Sequence, residues 1–251
     1  MCGRYLRRSD KQRIAEAFEV SKGLADLVLP PWDYNVAPTT FQPVIRSDRD
    51  TGERELTLMR WGLVPHFAKD LTSFGYSTIN ARAESVATSP TFSAAFERRR
   101  CLIPADGFYE WNLLPTQTFF GPDTTAKPSK KKAAAVEKQP YVYTLASGKP
   151  FAFAGLWDRW KDPTGGLLES YSIITTTPNE LTAEVHDRMP VILRLQDCDL
   201  WLDSTPGQAS TPQLALLALL GPYPAEQMQA REAHPDVGNV RNNHPGLLNS
   251  A

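Results

Sequence analysis

The sequence predicts an α+β fold with a curved, mainly antiparallel, barrel-like β core and short flanking helices. Many short strand-like runs alternate with only a few helical patterns. The 21 prolines and 15 glycines indicate a chain with many turns. No strand–helix–strand alternation and no internal repeat is visible, which argues against a parallel sheet or a solenoid. The length of 251 residues suits one domain, and we expect residues 1–251 to form it.

The helices are predicted from capping signals that precede apolar spacing. Ser9 and Gln12 form a capping-box pattern ahead of Ile14 and Phe18, which predicts a helix over about residues 10–19. A Ser or Thr followed by Pro predicts three further helix starts, at Ser89-Pro90, Thr177-Pro178 and Thr211-Pro212. The predicted strands are Val44–Arg46, Glu55–Arg60, Cys101–Ile103, Phe108–Trp111, Tyr141–Leu145, Phe151–Leu156, Tyr171–Thr175 and Val191–Leu193.

The overall charge gives no sign of a nucleic-acid or membrane-surface binder, but its distribution is uneven. There are 27 Lys and Arg against 28 Asp and Glu, a formal net charge of -1. Of the 17 arginines, 12 lie in the first 110 residues, and arginine is the residue best suited to bidentate phosphate contacts. The segment 116–139 carries five lysines and two acidic residues, and we expect a flexible basic insertion loop there.

Targeting signals and cysteine spacing point to a reduced, cytoplasmic protein. Met1 to Asp10 is polar with no apolar segment behind it, so no signal peptide is predicted. The longest apolar run, Leu214 to Leu220, is too short to cross a bilayer. Cys2, Cys101 and Cys198 are widely spread, and no metal-ligand spacing is present. We therefore expect no disulfide framework, no metal site and no cofactor.

The second residue, Cys2, is the first candidate for chemistry. Removal of Met1 would place an α-amine and a thiol on neighbouring carbons. The amine titrates near pH ~7.7–8.0, so part of it is a neutral nucleophile at cytosolic pH. Such a residue can attack an aldehyde with nitrogen and then close a five-membered thiazolidine with sulfur. The alternative is a small structural residue near an ordered terminus.

Three polar residues in apolar or turn-rich surroundings are further candidates. Glu110 lies between aromatic residues on a predicted strand and either points outward or enters an apolar pocket, where its pKa would rise. His186 precedes Asp and Arg just after a predicted helix, as a loop-borne acid or base does. Asn80 either orients a substrate with its amide or closes a turn. Structural roles remain open for all three.

Seven ordered segments together carry a family resemblance. They are Met1–Tyr5, Tyr34–Thr39, Arg60–Pro65 with Ala68–Asp70, Ile79–Glu84, Arg100–Trp111, Ala154–Trp157 and His186–Leu193. In this order they resemble the SOS response-associated peptidase family, abasic-site processing proteins that shield damaged DNA at replication forks. The resemblance runs from Cys2 to about Leu202, with a weaker tail at Val237–Asn242.

The resemblance implies a single α+β domain with a barrel-like core and a positively charged channel for single-stranded DNA. It implies that Cys2, freed by autocatalytic removal of Met1, joins the ring-opened sugar of an abasic site as a thiazolidine. Asn80, Glu110 and His186 fall on the other active-site positions of the family. Crosslink reversal and weak abasic-site lyase activity are expected beside the crosslink.

The resemblance also implies a DNA-binding set. Arg4, Arg82 and Arg188 match residues that bind the flanking phosphates. Pro38 and Trp111 match parts of a wedge that interrupts base stacking at the lesion. The implied partner is single-stranded DNA containing abasic sites, with single/double-strand junctions as a further substrate. A monomer is expected.

Two departures from the family and two alternative functions remain. The insertion 116–139 is longer than the short turn of the family, and its lysines either add DNA contacts near Trp111 or belong to a surface loop. Where the family has Trp between Pro65 and Ala68, this chain has His66 and Phe67, and Phe67 offers a smaller stacking face. One alternative is a thiol or N-terminal-nucleophile peptidase that pairs Cys2 with His186. The other is a non-covalent binder of single-stranded DNA with a structural Cys2.

Overall fold

A computed structural model describes residues 2–25, 27–48, 50–71, 74, 76–113, 138–203 and 211–250. Most of the predicted insertion lies outside the described residues. Its last two residues, Lys138 and Gln139, begin a strand instead of belonging to a loop.

Seven of the eight predicted runs lie within strands that are two to five residues longer than predicted, and of Val191–Leu193 only Ile192 and Leu193 form a strand. Further strands lie at the amino terminus, ahead of residue 41, at residue 80 and near the carboxyl terminus. In chain order the strands of the described ranges are β1 Tyr5–Arg7, β2 Asp33–Val36, β3 Phe41–Ser47, β4 Arg54–Trp61, β5 Asn80–Arg82, β6 Arg100–Ala105, β7 Gly107–Leu113, β8 Lys138–Leu145, β9 Phe151–Lys161, β10 Leu167–Thr176, β11 Met189–Pro190, β12 Ile192–Leu193 and β13 Met228–Glu232.

The helices are short and flank the strands. The α-helices in the described ranges are α1 Lys11–Phe18, α2 Ser93–Arg98, α3 Glu180–Ala183, α4 Cys198–Leu202 and α5 Gln213–Ala218. Short 3₁₀ helices lie at Tyr76–Thr78, Leu195–Asp197, Ala225–Gln227, Pro235–Gly238 and Pro245–Leu248. Within the described ranges, no helix combines the length and apolar character needed to span a membrane.

All four predicted helix starts are shifted by one to three residues. Asp10, not Ser9, caps α1 by accepting from the Arg13 amide at 2.8 Å. Ser9 is buried and donates to Asp106 Oδ1 at 2.8 Å.

The other three starts shift as well. At α5 the cap position is Pro212 instead of Thr211. Asn179, which follows the Thr177-Pro178 pair, caps α3 in a reciprocal capping box with Thr182. Ser89 lies in the turn ahead of α2, where its carbonyl accepts from the Ser93 amide at 2.8 Å. The cap position of α2 is Phe92, which makes no side-chain capping hydrogen bond.

Five strands close on themselves and form a barrel. Their order is β10-β4-β3-β6-β9, and β9 pairs again with β10. The β10–β4 contact is parallel, while the other four contacts are antiparallel. Closure leaves no unpaired strand edge within the ring. The predicted α+β class and the mainly antiparallel, barrel-like core are confirmed.

The second sheet brings the amino terminus beside the middle of the chain. Its order is β13-β8-β7-β1-β2, and all of its pairs are antiparallel. Tyr5 pairs with Phe108, and the Tyr109 amide donates to the Arg4 carbonyl at 3.0 Å. This register carries the residues before β1 toward Glu110 on β7.

An aromatic core lies next to the amino terminus. Trp61 packs edge-on against Tyr5 with ring centroids 5.2 Å apart and stacks with Tyr171. The hydroxyls of Tyr5 and Tyr171 are 2.8 Å apart, so each of these buried polar groups has a partner. Cys2 belongs to the same buried cluster. The start of the chain is therefore anchored in the core.

Candidate active site

Cys2 is fully buried, just ahead of β1. Its carbonyl accepts from Asn80 Nδ2 at 2.9 Å, and its Sγ lies 3.9 Å from the Arg4 carbonyl. Burial raises the pKa of the Cys2 thiol well above its usual range, and the charge of Glu110 raises it further. The thiol is therefore protonated at neutral pH and needs a base before it can act as a nucleophile.

Asn80 is presented to Cys2 by β5, which pairs with the long barrel strand β10 at Ile173. The indole of Trp61 donates to the carbonyl of Ile79 at 3.0 Å and fixes the approach to this strand. The Asn80 Oδ1 is buried and has no hydrogen-bond partner among the described residues. A buried acceptor without a partner costs stability, and this one is available to a ligand hydroxyl.

The carboxyl of Glu110 points inward, which decides between the two orientations the sequence left open. The residue is 3% exposed. Burial raises its pKa from 4.5 to about 7, while the positive amino terminus acts in the opposite direction. A carboxyl with such a pKa is present in both protonation states near neutral pH and can serve as acid and as base.

His186 lies at the end of the turn that follows α3, where its amide donates to the Thr182 carbonyl at 2.9 Å. Its Nδ1 lies 3.0 Å from the Arg188 amide nitrogen and 2.9 Å from Asp187 Oδ1. Burial lowers the pKa of His186, so the neutral imidazole predominates at neutral pH. The negative charge of Asp187 partly opposes this shift.

One cleft of about 690 Å³ joins several of these side chains. Its lining consists of Glu110, Trp111, Lys138, Val185, His186, Asp187 and Gly238. A cleft that combines an aromatic wall with titratable groups of shifted pKa is typical of a catalytic site. Cys2, which Asn80 holds, lies within electrostatic range of the Glu110 carboxyl in this cleft.

The three predicted phosphate-binding arginines have different surroundings. Arg4 is half-buried, and its Nε donates to Asn35 Oδ1 at 3.2 Å. Arg82 is exposed and pairs through β5 with Thr175 on β10. Arg188 donates to the Thr175 carbonyl at 2.6 Å, which places it on the same stretch of β10 as Arg82.

The Arg188 guanidinium is held by a carboxylate. Its two terminal nitrogens donate to the oxygens of Glu84 at 2.8 and 3.0 Å. Among the described residues, no carboxylate lies within ion-pair distance of Arg4 or Arg82. These two guanidiniums are therefore available to an anion.

The three predicted wedge residues do not line one surface of the cleft. Trp111 is half-buried at the cleft, whereas Pro38 is buried beside exposed Thr39. Phe67 is 53% exposed and packs edge-on against His66 and Phe74. The His66 amide and ring hold this turn in place by bonding Asp158 at 3.0 Å.

Sequence reasoning missed three residues of the site. Asn35, the hydrogen-bond partner of Arg4, donates to the carbonyls of residues 237, 239 and 242. These bonds hold its side chain in place. Glu84 holds Arg188, and Lys138 lines the cleft. Asn35 and Glu84 lie inside family segments, which is a signal that could have found them. Lys138 was assigned to the insertion loop.

Comparison with known proteins gives consistent matches along the chain. The family model for SOS response associated peptidase (SRAP) matches residues 1–240. The protein named abasic site processing protein YoqW, from Bacillus subtilis, is 38% identical over the full length of both chains. Abasic site processing protein HMCES from Rattus norvegicus is 30% identical over 99% of this chain and 75% of its own length.

A solved structure is also similar. The crystal structure of a protein from Bacteroides thetaiotaomicron covers all of both chains, with a TM-score of 0.78 and 25% sequence identity. The extent of the family match and the full-length relatives show that this chain belongs to the SOS response associated peptidase (SRAP) family.

Proposed function

We propose that this chain processes abasic sites in single-stranded DNA by forming a covalent thiazolidine between Cys2 and the ring-opened sugar. One observation carries the proposal: Cys2 is buried, held by Asn80, and coupled to a carboxyl whose pKa is about 7. The relatives named abasic site processing proteins support the same substrate. A stable crosslink would shield the damaged strand at a replication fork.

The chemistry begins with hydrolysis of the Met1–Cys2 peptide bond, which consumes one water and frees the amine of Cys2. That nitrogen attacks C1′ of the open-chain aldehyde, and the resulting carbinolamine loses water to give an imine. The sulfur then adds to the same carbon while its proton passes to nitrogen. One water leaves in the crosslinking step, and nothing is oxidised or reduced.

Glu110 is assigned the proton transfers. In its protonated form it donates to the departing hydroxyl of the carbinolamine, and as a carboxylate it accepts the thiol proton. Burial keeps the Cys2 thiol protonated, so ring closure depends on such a base. The same two steps in reverse would release the DNA.

His186 and Asn80 are assigned supporting roles. The neutral imidazole of His186 can accept the proton of the sugar hydroxyl when the furanose opens. Asn80 holds Cys2 through Nδ2 and offers Oδ1 to a substrate hydroxyl. An imine at C1′ also acidifies C2′, so we propose slow β-elimination of the 3′ strand as a side activity.

The arginines explain how a chain with net charge -1 can bind DNA. Net charge averages an acidic carboxyl-terminal half over an arginine-rich front. Arg4 and Arg82 are available to phosphates, and Arg188 lies beside Arg82 along β10. Few phosphate contacts give modest, salt-sensitive affinity, so the covalent bond would supply the persistence.

General thiol peptidase activity has less support. A thiolate–imidazolium pair needs a lowered thiol pKa and a raised histidine pKa. Here burial shifts the pKa of Cys2 upward and that of His186 downward. We propose that peptidase activity is limited to the removal of Met1.

The test uses a single-stranded oligonucleotide in which a glycosylase converts one uracil to an abasic site. Wild-type protein should give a slow-migrating band on a denaturing gel, and Cys2→Ala should not. Cys198→Ala, which alters another buried free cysteine, is the matched control and should crosslink. A band that persists in Cys2→Ala, or mass spectrometry showing Met1 retained in active protein, would contradict the proposal. Binding without any covalent band would favour the non-covalent alternative.

A further inference from the structure

Tyr76 is an exposed aromatic residue with no structural task in the described part of the chain. It opens the 3₁₀ helix Tyr76–Thr78 and is 74% exposed. No hydrogen bond of its hydroxyl is found among the described residues. A single exposed aromatic ring needs no explanation by itself, so what matters is which groups lie near Tyr76.

The segment that carries Tyr76 is fixed next to the active site. The Leu63 amide donates to the Thr78 carbonyl at 3.3 Å, which ties this segment to the end of β4. Asn80, which holds Cys2, follows only four residues after Tyr76. Four residues span at most about 14 Å, so Tyr76 lies close to the proposed lesion site.

Arg60 lies near the carboxyl end of β4, the strand end to which this segment is tied. Its guanidinium donates to the Gly62 carbonyl at 3.1 Å. Like Arg4, it has no carboxylate within ion-pair distance among the residues that the structure describes. Burial lowers the pKa of both arginines, and in both cases Tyr76 is the neighbouring group that opposes this shift. The phenol is therefore within electrostatic range of both guanidiniums.

Single-stranded nucleic acid is recognised by this combination of groups, because an aromatic face stacks on any base while guanidiniums hold the backbone. We propose that Tyr76, Arg60 and Arg4 form a nucleotide subsite in which the Tyr76 ring stacks on an undamaged base near the abasic site and Arg60 contacts a phosphate. The inference rests on the proposed function, because the DNA strand bound at this subsite is the strand that Cys2 would crosslink. It adds a base contact that tolerates any sequence.

Binding to an undamaged single-stranded oligonucleotide, measured by fluorescence anisotropy, tests the stack without any crosslinking. Tyr76→Ala should weaken binding by about 5- to 150-fold, as loss of one base–aromatic stack does. Tyr76→Phe should restore most of the affinity because it keeps the ring. Trp32→Ala removes an aromatic ring that is 60% exposed beside Pro30 and Pro31, and should bind as the wild type does.

Salt dependence separates the arginine from the aromatic ring. Arg60→Gln should reduce the slope of log affinity against log salt by about 0.7, the value for one phosphate on a single strand. Tyr76→Ala should leave this slope unchanged. A stable tetrahydrofuran analogue placed at successive positions should weaken wild-type binding where Tyr76 stacks, and should cause no additional loss there in Tyr76→Ala.

Three results would overturn the subsite: wild-type affinity in Tyr76→Ala, equal weakening in Tyr76→Phe and Tyr76→Ala, or an unchanged salt slope in Arg60→Gln. The wild-type crosslink at saturating protein tests the proposed function separately. If that crosslink is absent while Tyr76→Ala weakens binding, the subsite stands and the covalent mechanism fails.

Discussion

Replacing Glu110 by Gln should make the protein more stable at high pH and less active. In the folded state the carboxyl is 3% exposed and its pKa is raised from 4.5 to about 7, with burial as the main cause. Below pH 4.5 the group is protonated in both the folded and the unfolded state. As the pH rises toward 7, the unfolded state ionises first, so the stability of the folded state falls.

The magnitude follows from the size of this pKa shift. At 1.36 kcal/mol for each pKa unit, the ionised Glu110 costs on the order of 3 kcal/mol above pH 7. Gln has nearly the same shape but does not ionise. Glu110→Gln should therefore unfold about 6–12 °C higher than the wild type at pH 8, while the difference should disappear near pH 4.

The assay is thermal and urea unfolding of both proteins at pH 4, 6 and 8, with the amino-terminal residue checked by mass spectrometry. Glu226→Gln, an exposed acid in a 3₁₀ helix, controls for the charge change. In parallel, Glu110→Gln should slow crosslinking by about 100-fold, the scale of one general acid–base contribution. Two results would refute the assignment of a buried carboxyl that titrates near neutrality. One is equal stability of Glu110→Gln and wild type at pH 8, and the other is a stability difference that does not vary with pH.

Three further predictions concern DNA binding, positioning and packing. Arg82→Ala should weaken binding to all single strands alike and should lower the slope of log affinity against log salt by about 0.7, measured by anisotropy at several salt concentrations. An unchanged affinity would show that Arg82 makes no phosphate contact. Asn80→Ala removes the hydrogen bond to the Cys2 carbonyl, so it should lower the free energy of unfolding in urea by about 1 kcal/mol and should slow crosslinking. A wild-type crosslinking rate would show that this bond does not position Cys2. Gly155→Ala should destabilise the barrel by about 1–3 kcal/mol in urea unfolding, because the added Cβ would lie 2.0 Å from Ile103 Cδ1. An unchanged free energy of unfolding would mean that the barrel interior repacks.

Much of the fold was predictable because local patterns and tertiary packing agree. Every predicted strand exists, since runs of β-branched and aromatic residues suit a pleated, buried surface. The short strands β1 and β5 were missed because three residues carry too little periodicity to be recognised. These two strands hold the site, since β1 follows Cys2 and β5 begins with Asn80.

Helix boundaries show where tertiary contacts override a local signal. Ser9 has the right residue type and spacing for a cap, but its hydroxyl is used by buried Asp106, so Asp10 takes the role. Nothing near Ser9 in the sequence indicates this partner, which lies almost a hundred residues away. A capping signal can predict that a helix starts, but its exact cap depends on such distant partners.

The sequence alone determined the fold class, the family and the types of group available for chemistry, because these depend on residue identity and order along the chain. The tertiary structure decided which way Glu110 points. It also decided that Arg188 pairs with Glu84, whereas Arg4 and Arg82 have no carboxylate partner in the described ranges. These properties depend on burial and on partners distant in sequence. Desolvation shifts the pKa of Glu110 into the useful range because the folded chain leaves this residue only 3% exposed.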